Sequence, residues 1–142
     1  MKVKIKKLSS EAQMPCKGTL GAAAYDLYST EKVYIPPGET VAVGTGLSME
    51  IPKGWRGDIY SRSGMASQGV VVANSPGKID SDYRGEIMVL LHNNRRSYVA
   101  VIEVGDKIAQ FEISQVQLIQ FEEIEELSIT ERGSDGFGST GK

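Results

Sequence analysis

Apolar and polar residues alternate in short runs along most of the chain, and no stretch keeps a helical period. Residues 2–6 place Val3 and Ile5 between lysines, the period-two pattern of a half-buried strand. Residues 33–35 are a second short apolar run. Pro36-Pro37-Gly38 ends it, because proline fixes φ and glycine then turns without steric cost. Runs at 41–43 and 47–51 follow, Pro52-Lys53-Gly54 supplies the next turn, and 55–60 reads as a strand. Residues 70–73 and 78–80 flank Asn74-Ser75-Pro76-Gly77, the best hairpin signal in the chain. Residues 86–91 form a strand ending at His92-Asn93-Asn94. Residues 98–104 alternate and are rich in β-branched side chains, and Gly105-Asp106-Lys107 turns them into a strand at 108–119. The pattern leaves room for one short helix near residues 65–68. Short strands with frequent turns predict an all-β jelly roll or sandwich, an architecture that limits exposed sheet edges.

No repeat or linker interrupts this pattern, so residues 1–142 are expected to form a single domain. The tail differs. Residues 122–126 are acidic around Ile124, and residues 132–141 are rich in Gly and Ser around a lone Phe137, a composition that cannot pack a core and predicts mobility when empty.

Composition narrows the function. The hydrophobic fraction is 40% and the charged fraction 24%, which place the chain among soluble globular domains. The net charge of −2, with mixed signs along the chain, excludes broad charge-driven binding to nucleic acid or anionic membranes. It leaves room for a small anion at a local basic site. A lone Cys16 excludes an internal disulfide and points to a reducing compartment. No segment approaches a membrane span of about 20 apolar residues. No apolar signal core follows the opening lysines, so a cytoplasmic or nuclear location is expected.

Three segments carry candidate chemistry. Residues 74–86 crowd Asp80, Asp82, Tyr83, Arg84 and Glu86 beside a tight turn, although an ordinary charged surface hairpin would look the same. Ser61-Arg62-Ser63-Gly64-Met65-Ala66 sets an arginine fork and two hydroxyls before a glycine, groups that suit phosphate oxygens. In the tail, Gly136-Phe137-Gly138-Ser139-Thr140-Gly141 fits a dinucleotide fingerprint letter by letter, but no strand-to-helix unit surrounds it. Its glycine N–H groups can still form an anion nest, with Arg132 as a phosphate partner and Phe137 as a ring to cover a base. His92 and Trp55 read as structural, Cys16 lacks the basic neighbours of a nucleophile, and no Cys/His cluster indicates zinc.

Taken together, the chain resembles the trimeric dUTPase family. Five motifs stand in the family's order: Ala24-Tyr25-Asp26-Leu27-Tyr28-Ser29; Ser61-Arg62-Ser63-Gly64-Met65-Ala66; Gly77-Lys78-Ile79-Asp80-Ser81-Asp82-Tyr83-Arg84-Gly85-Glu86; Gly105-Asp106-Lys107-Ile108-Ala109-Gln110; and Arg132-Gly133-Ser134-Asp135-Gly136-Phe137-Gly138-Ser139-Thr140-Gly141. The family usually has Gly at Ala24 and Pro at Ser61, and often Arg at Lys107. Ser134-Asp135 adds an acid to the fifth motif.

The resemblance implies a jelly-roll homotrimer whose active sites take motifs from all three subunits. It implies hydrolysis of dUTP to dUMP and pyrophosphate by water attack on the α-phosphorus, which keeps uracil out of DNA and supplies dUMP for thymidylate synthesis. By the same resemblance Asp80 would be the general base, with Arg62 and Gln110 assisting. Ser61, Arg62, Ser63, Gly64 and Gln110 would contact the phosphates or the attacking water. Tyr83 would pack on the deoxyribose and exclude a 2′-hydroxyl. Asn74 and backbone groups of the hairpin at Gly77 and Ile79 would pair with the uracil edge. Mg²⁺ would be held mainly by the phosphates and water, with Asp26 near its water shell or serving its strand. Residues 127–142 would close as a lid through Arg132, Phe137, Gly138, Ser139 and Thr140, with Phe137 stacked on the base. Rival readings are a dCTP deaminase of the same fold and a non-catalytic, nucleotide-controlled binding module.

Overall fold

In the strand at positions 88–93, Val89, Leu91 and Asn93 are at most 1% exposed, while Met88 and Leu90 face outward. The same alternation repeats around a single core in which Leu27, Ile35, Val43, Leu47, Ile87 and Ile108 are also fully buried. The computed structural model describes residues 1–136. Among them the strands are β1 (Lys4–Lys7), β2 (Tyr25–Tyr28), β3 (Val33–Ile35), β4 (Thr40–Gly44), β5 (Leu47–Glu50) and β6 (Trp55–Tyr60). The helix α1 (Ser63–Ala66) follows, then β7 (Val70–Val72), β8 (Gly77–Ile79), β9 (Met88–Asn93), β10 (Ala100–Ile102) and β11 (Lys107–Gln115). All pairings are antiparallel, in the orders β2-β11-β6-β8, β4-β9-β7, β1-β5 and β10-β3. This is the expected all-β jelly roll. No helix of the described residues is long and apolar enough to cross a membrane.

The four-stranded sheet positions most of the candidate chemistry. Its inner face carries Ile59 and Phe111 into the core. Its outer face carries Arg56, Asp58 and Tyr60 of β6 beside Gln110, Glu112 and Ser114 of β11. Gly57 is glycine for a steric reason: a Cβ there would lie 2.5 Å from the Phe111 ring.

Several expected boundaries shift. The last strand stops at Gln115, not at 119, because its final partner is Trp55, the first residue of β6, and the ladder runs out. The strand expected at 98–104 shrinks to Ala100–Ile102 to match the three residues of β3. The helix starts two residues early, at Ser63, and the Gly69 N–H bonds back to Ala66 with φ +83 to end the turn. The hairpin at Asn74-Ser75-Pro76-Gly77 is not a hairpin: β7 pairs with β9, and β8 pairs with β6. The turn is real, but it carries the chain from one sheet to another. Turn chemistry reports a reversal and not which strands pair.

Asn93 shows how polar links close the core. It is fully buried; its amide N–H groups donate to the Ile35 and Tyr98 carbonyls at 2.8 Å each, and its Oδ1 accepts the Arg95 N–H at 3.0 Å. Asn93→Ala removes all three bonds and leaves the Ile35 carbonyl unpaired in the core. It is expected to lower stability by about 1–3 kcal/mol, seen as a lower urea midpoint at unchanged slope. A loss under about 0.5 kcal/mol, the range of a neutral surface change, would contradict this role.

Candidate active site

One half of the candidate chemistry gathers at the start of β11. A register shift between Lys107 and Ala109 interrupts the β2–β11 ladder, the kind of bulge that re-aims a side chain. Asp26 of β2 is 5% exposed. Its Oδ1 accepts from Arg62 Nε at 3.1 Å, and its Oδ2 lies 2.9 Å from Lys107 Nζ. Arg62 also donates to the Lys107 carbonyl at 3.2 Å. Gln110 stands opposite Asp26 on one side and Tyr60 on the other. Ser63 and Gly64 open α1, while Ser61 turns back and its Oγ accepts the Val72 N–H at 2.8 Å. Arg62, Lys107 and Arg95 line a cleft of about 500 Å³ floored by Met65 and Val70. Three cations against the one lining carboxylate, Asp106, leave a positive concavity that suits an anion.

The other half lies beyond β8. Asp80 follows the last paired residue, Ile79, and is exposed. It lines a second, open cavity of about 1190 Å³ with Arg56, Lys78, Ser81, Asp82 and Arg84. The loop is closed on itself: Arg84 donates to the Ser81 and Tyr83 carbonyls at 2.7 and 2.8 Å, and Tyr83 donates to the Glu86 carbonyl at 2.9 Å. The Tyr83 ring lies over Gly85, where a Cβ would come 2.6 Å from Cζ, and the residue stays 44% exposed. Asn74 packs its amide against Gly77, 3.2 Å from where a Cβ would sit.

The two halves line different cavities of the chain. Ile79 pairs with Gly57, which puts Asp80 level with Arg56. From position 56 to position 62 an extended chain covers about 20 Å. A general base must lie within about 3 Å of the proton it takes, directly or through one water.

Residues 116–136 leave the body after the Val116 N–H bonds to the Gly54 carbonyl at 2.8 Å. Leu118, Phe121 and Ile129 in this arm are 94–101% exposed. Arg132 folds back on its own turn, Nε donating to the Asp135 carbonyl at 2.9 Å. Phe137, Gly138, Ser139 and Thr140 lie outside the described residues.

Residues read as structural find structural partners. His92 Nδ1 lies 2.9 Å from Thr40 Oγ1 across the β4–β9 pair. Cys16 Sγ is 2.7 Å from Tyr28 Oη, and that hydrogen bond together with burial pushes the Tyr28 phenol up to about 12. The sequence reading missed Asp58, a buried carboxylate gripped by Lys78 and by Arg56, whose Nε lies 3.1 and 3.2 Å from its two oxygens. Its one available signal was the polar alternation Arg56, Asp58, Tyr60. Among the described residues no three His, Cys, Asp or Glu side chains converge as a metal cage.

A family model described as dUTPase matches residues 10–141. The deoxyuridine 5'-triphosphate nucleotidohydrolase of Nautilia profundicola is 52% identical over the full length of both chains. That of Corynebacterium glutamicum is 45% identical, covering 99% of this chain and 95% of its own. Among solved structures, a Staphylococcus bacteriophage 80alpha dUTPase with dUPNHPP superposes with a TM-score of 0.88 at 30% identity, covering 99% of each chain. A mutant dUTPase from phage phi11 of S. aureus, with a structural Mg(II) ion, gives 0.81 at 28% identity over 89% of this chain and 98% of its own.

Asp26→Asn removes the charge that Arg62 and Lys107 share. It is expected to destabilise the chain by about 1.5–3 kcal/mol in urea unfolding, the range for hydrogen bonds to a charged group. Unchanged stability would mean that Asp26 does not anchor the two cations.

Proposed function

The chain belongs to the dUTPase family, and on that premise we propose that it hydrolyses dUTP to dUMP and pyrophosphate in active sites built between copies of itself. The observation that carries the shared site is that Arg62 and Asp80 line different cavities at opposite ends of β6, about 20 Å apart at ideal strand rise. A second copy brings its Asp80 to the first copy's Arg62 only across an interface. The exposed apolar arm supports the same reading, since Leu118, Phe121 and Ile129 cover no surface of their own chain. A closed homotrimer lets every copy donate each part once.

In such a site Asp80 orients and deprotonates the water that attacks the α-phosphorus, and pyrophosphate leaves opposite it. A carboxylate suits the task because it accepts a proton at neutral pH. Tyr83 presents the exposed face of its ring to the deoxyribose. Its own hydroxyl, committed to the Glu86 carbonyl, keeps the ring in place against a ribose 2′-oxygen. Asn74 and the backbone at Gly77 and Ile79 read the uracil edge. A base with the wrong donors would leave those groups unpaired in a dry pocket, and that mismatch gives the selectivity. Arg62, held in line by Asp26, and Gln110 meet the phosphates or the attacking water, with Ser63 and Gly64 beside them. Ser61 acts mainly through its bond to the Val72 N–H, which fixes the start of that segment.

The donor set fits a magnesium ion that arrives with its substrate. Mg²⁺ keeps several waters and binds through few carboxylates plus phosphate oxygens, so a protein cage is not required. Bound in this way it neutralises charge on the triphosphate. Asp26 has both oxygens engaged by cations, which favours an anchoring role over a place in the ion's water shell. Residues 1–142 act as one domain, with 127–142 closing as a lid. Arg132, Phe137, Gly138, Ser139 and Thr140 cover base and phosphates there, and closure excludes water.

Purified protein with Mg²⁺ is expected to convert dUTP, and not dCTP, dTTP or UTP, to the monophosphate and pyrophosphate. Asp80→Asn should lower kcat by about 10²–10⁴-fold. Chromatography of the products decides both points. Silence toward dUTP, or ammonia released from dCTP, would overturn the proposal, and near-normal turnover by the Asp80 variant would remove that residue from its role.

A further inference from the structure

The outer face of the four-stranded sheet holds a buried charge that hydrolysis does not use. The Asp58 side chain is 1% exposed, in the middle of β6. Arg56 binds it from the same strand, and Lys78 binds it across the ladder, at the register pair Asp58–Lys78. We propose that Lys78, clamped by Asp58, is a positioning residue that fixes the register of β8 and so holds the Asp80 carboxylate toward its cavity. The proposal rests on the reading of Asp80 as the general base.

The argument begins with how little else holds β8. It is three residues long, stands at the edge of its sheet and makes three register pairs with β6. Asp80 comes immediately after it. Side chains alternate along a strand, so Lys78 and Asp80 share a face and Ile79 takes the other. Consistent with this, Lys78 and Asp80 line the same cavity, while Ile79 packs against the core. A slip of one residue would turn both Lys78 and Asp80 to the wrong face. It would also leave Asp58 buried with Arg56 alone, and removing one partner from a buried ion pair is strongly destabilising.

Asp58 thus penalises the slip that would misplace Asp80. Burial raises the Asp58 carboxyl, but hydrogen bonds from Lys78, Ser114 and Arg56 outweigh that and hold it below the usual aspartate range. It therefore stays charged, and keeps its grip on Lys78, at neutral pH. Arg56 cannot replace Lys78, because it sits on β6 itself and reports nothing about where β8 lies.

The test compares Lys78→Met, Lys78→Arg and the double variant Asp58→Asn/Lys78→Met, each as the full chain with Mg²⁺. Lys78→Met is expected to lose about 10- to 100-fold in kcat, the cost of a small misplacement of a reacting group. Its affinity for the non-hydrolysable analogue dUPNHPP should fall by a smaller factor than kcat, because the uracil-reading backbone at Gly77 and Ile79 moves with β8 while the phosphate-binding groups at Arg62 and Gln110 stay in place. Lys78→Arg, which keeps the charge, should restore most of the turnover. The double variant removes the buried carboxylate that Lys78→Met leaves with Arg56 as its one cation, and guards against simple misfolding. It should fold with parental stability and remain slow.

Parental kcat in Lys78→Met would overturn the proposal. So would recovery of full turnover in the double variant, because the loss would then have come from the stranded charge and not from the position of Asp80. Asp80→Asn in the same assay separates the two ideas. If it turns over normally the general-base reading fails; if it is slow while Lys78→Met is fast, only the positioning role fails.

Discussion

Strand β6 is the constraint on which the rest of the molecule depends. It is extended from Trp55 to Tyr60, wedged between β11 and β8, and its backbone cannot shorten. One end places Asp80 beside Arg56, and the other delivers Arg62 to Asp26. The glycine at 57 lets the Phe111 ring press directly on this strand, so core packing fixes its path. In the proposed mechanism a rigid strand of this length separates the base from the phosphate-binding arginine. A site that uses both then draws them from different copies, because no local motion of a packed sheet closes about 20 Å.

Two buried aspartates share one design. Asp26 is held by Arg62 and Lys107, and Asp58 by Arg56 and Lys78, each with a cation that belongs to another strand or loop. Such clusters add little net stability, since desolvation offsets most of the attraction, yet losing one partner is costly. Their value is in register and direction. Asp26 holds Arg62 beside the bulge in β11, and in the proposed positioning role Asp58 holds, through Lys78, the edge strand that leads to Asp80. Precision at both ends of β6 is needed if the halves of a site come from different molecules, because neither half can adjust to errors in the other through its own chain.

Much of this was legible in the sequence. Period-two alternation with Pro and Gly turns is enough for an all-β layered fold, and the ordered motifs around Asp26, Arg62, Asp80 and Gln110 point to the chemistry. Pairing was not legible. Asn74-Ser75-Pro76-Gly77 announces a reversal, yet β7 and β8 go to different sheets, because partners are chosen by long-range packing of Val70 and Val72 against β9. Strand ends were not legible either: β11 stops at Gln115 because β6 starts at Trp55, a fact about the partner. Asp58 looked like any charged residue on a solvated strand face. Only the register that sets Lys78 beside it turns it into a buried anchor.

The central claim is that base and phosphate-binding arginine come from different copies of the chain. Its most direct measurement mixes two variants inactive on their own, Asp80→Asn and Arg62→Gln, after subunit exchange in equal amounts. Sites shared between copies predict recovery of about a quarter of parental dUTP turnover, because random assembly joins one intact Asp80 to one intact Arg62 in that fraction of sites. Turnover that stays at the level of the separate variants, with exchange verified, would place both residues in a single-chain site and contradict the account.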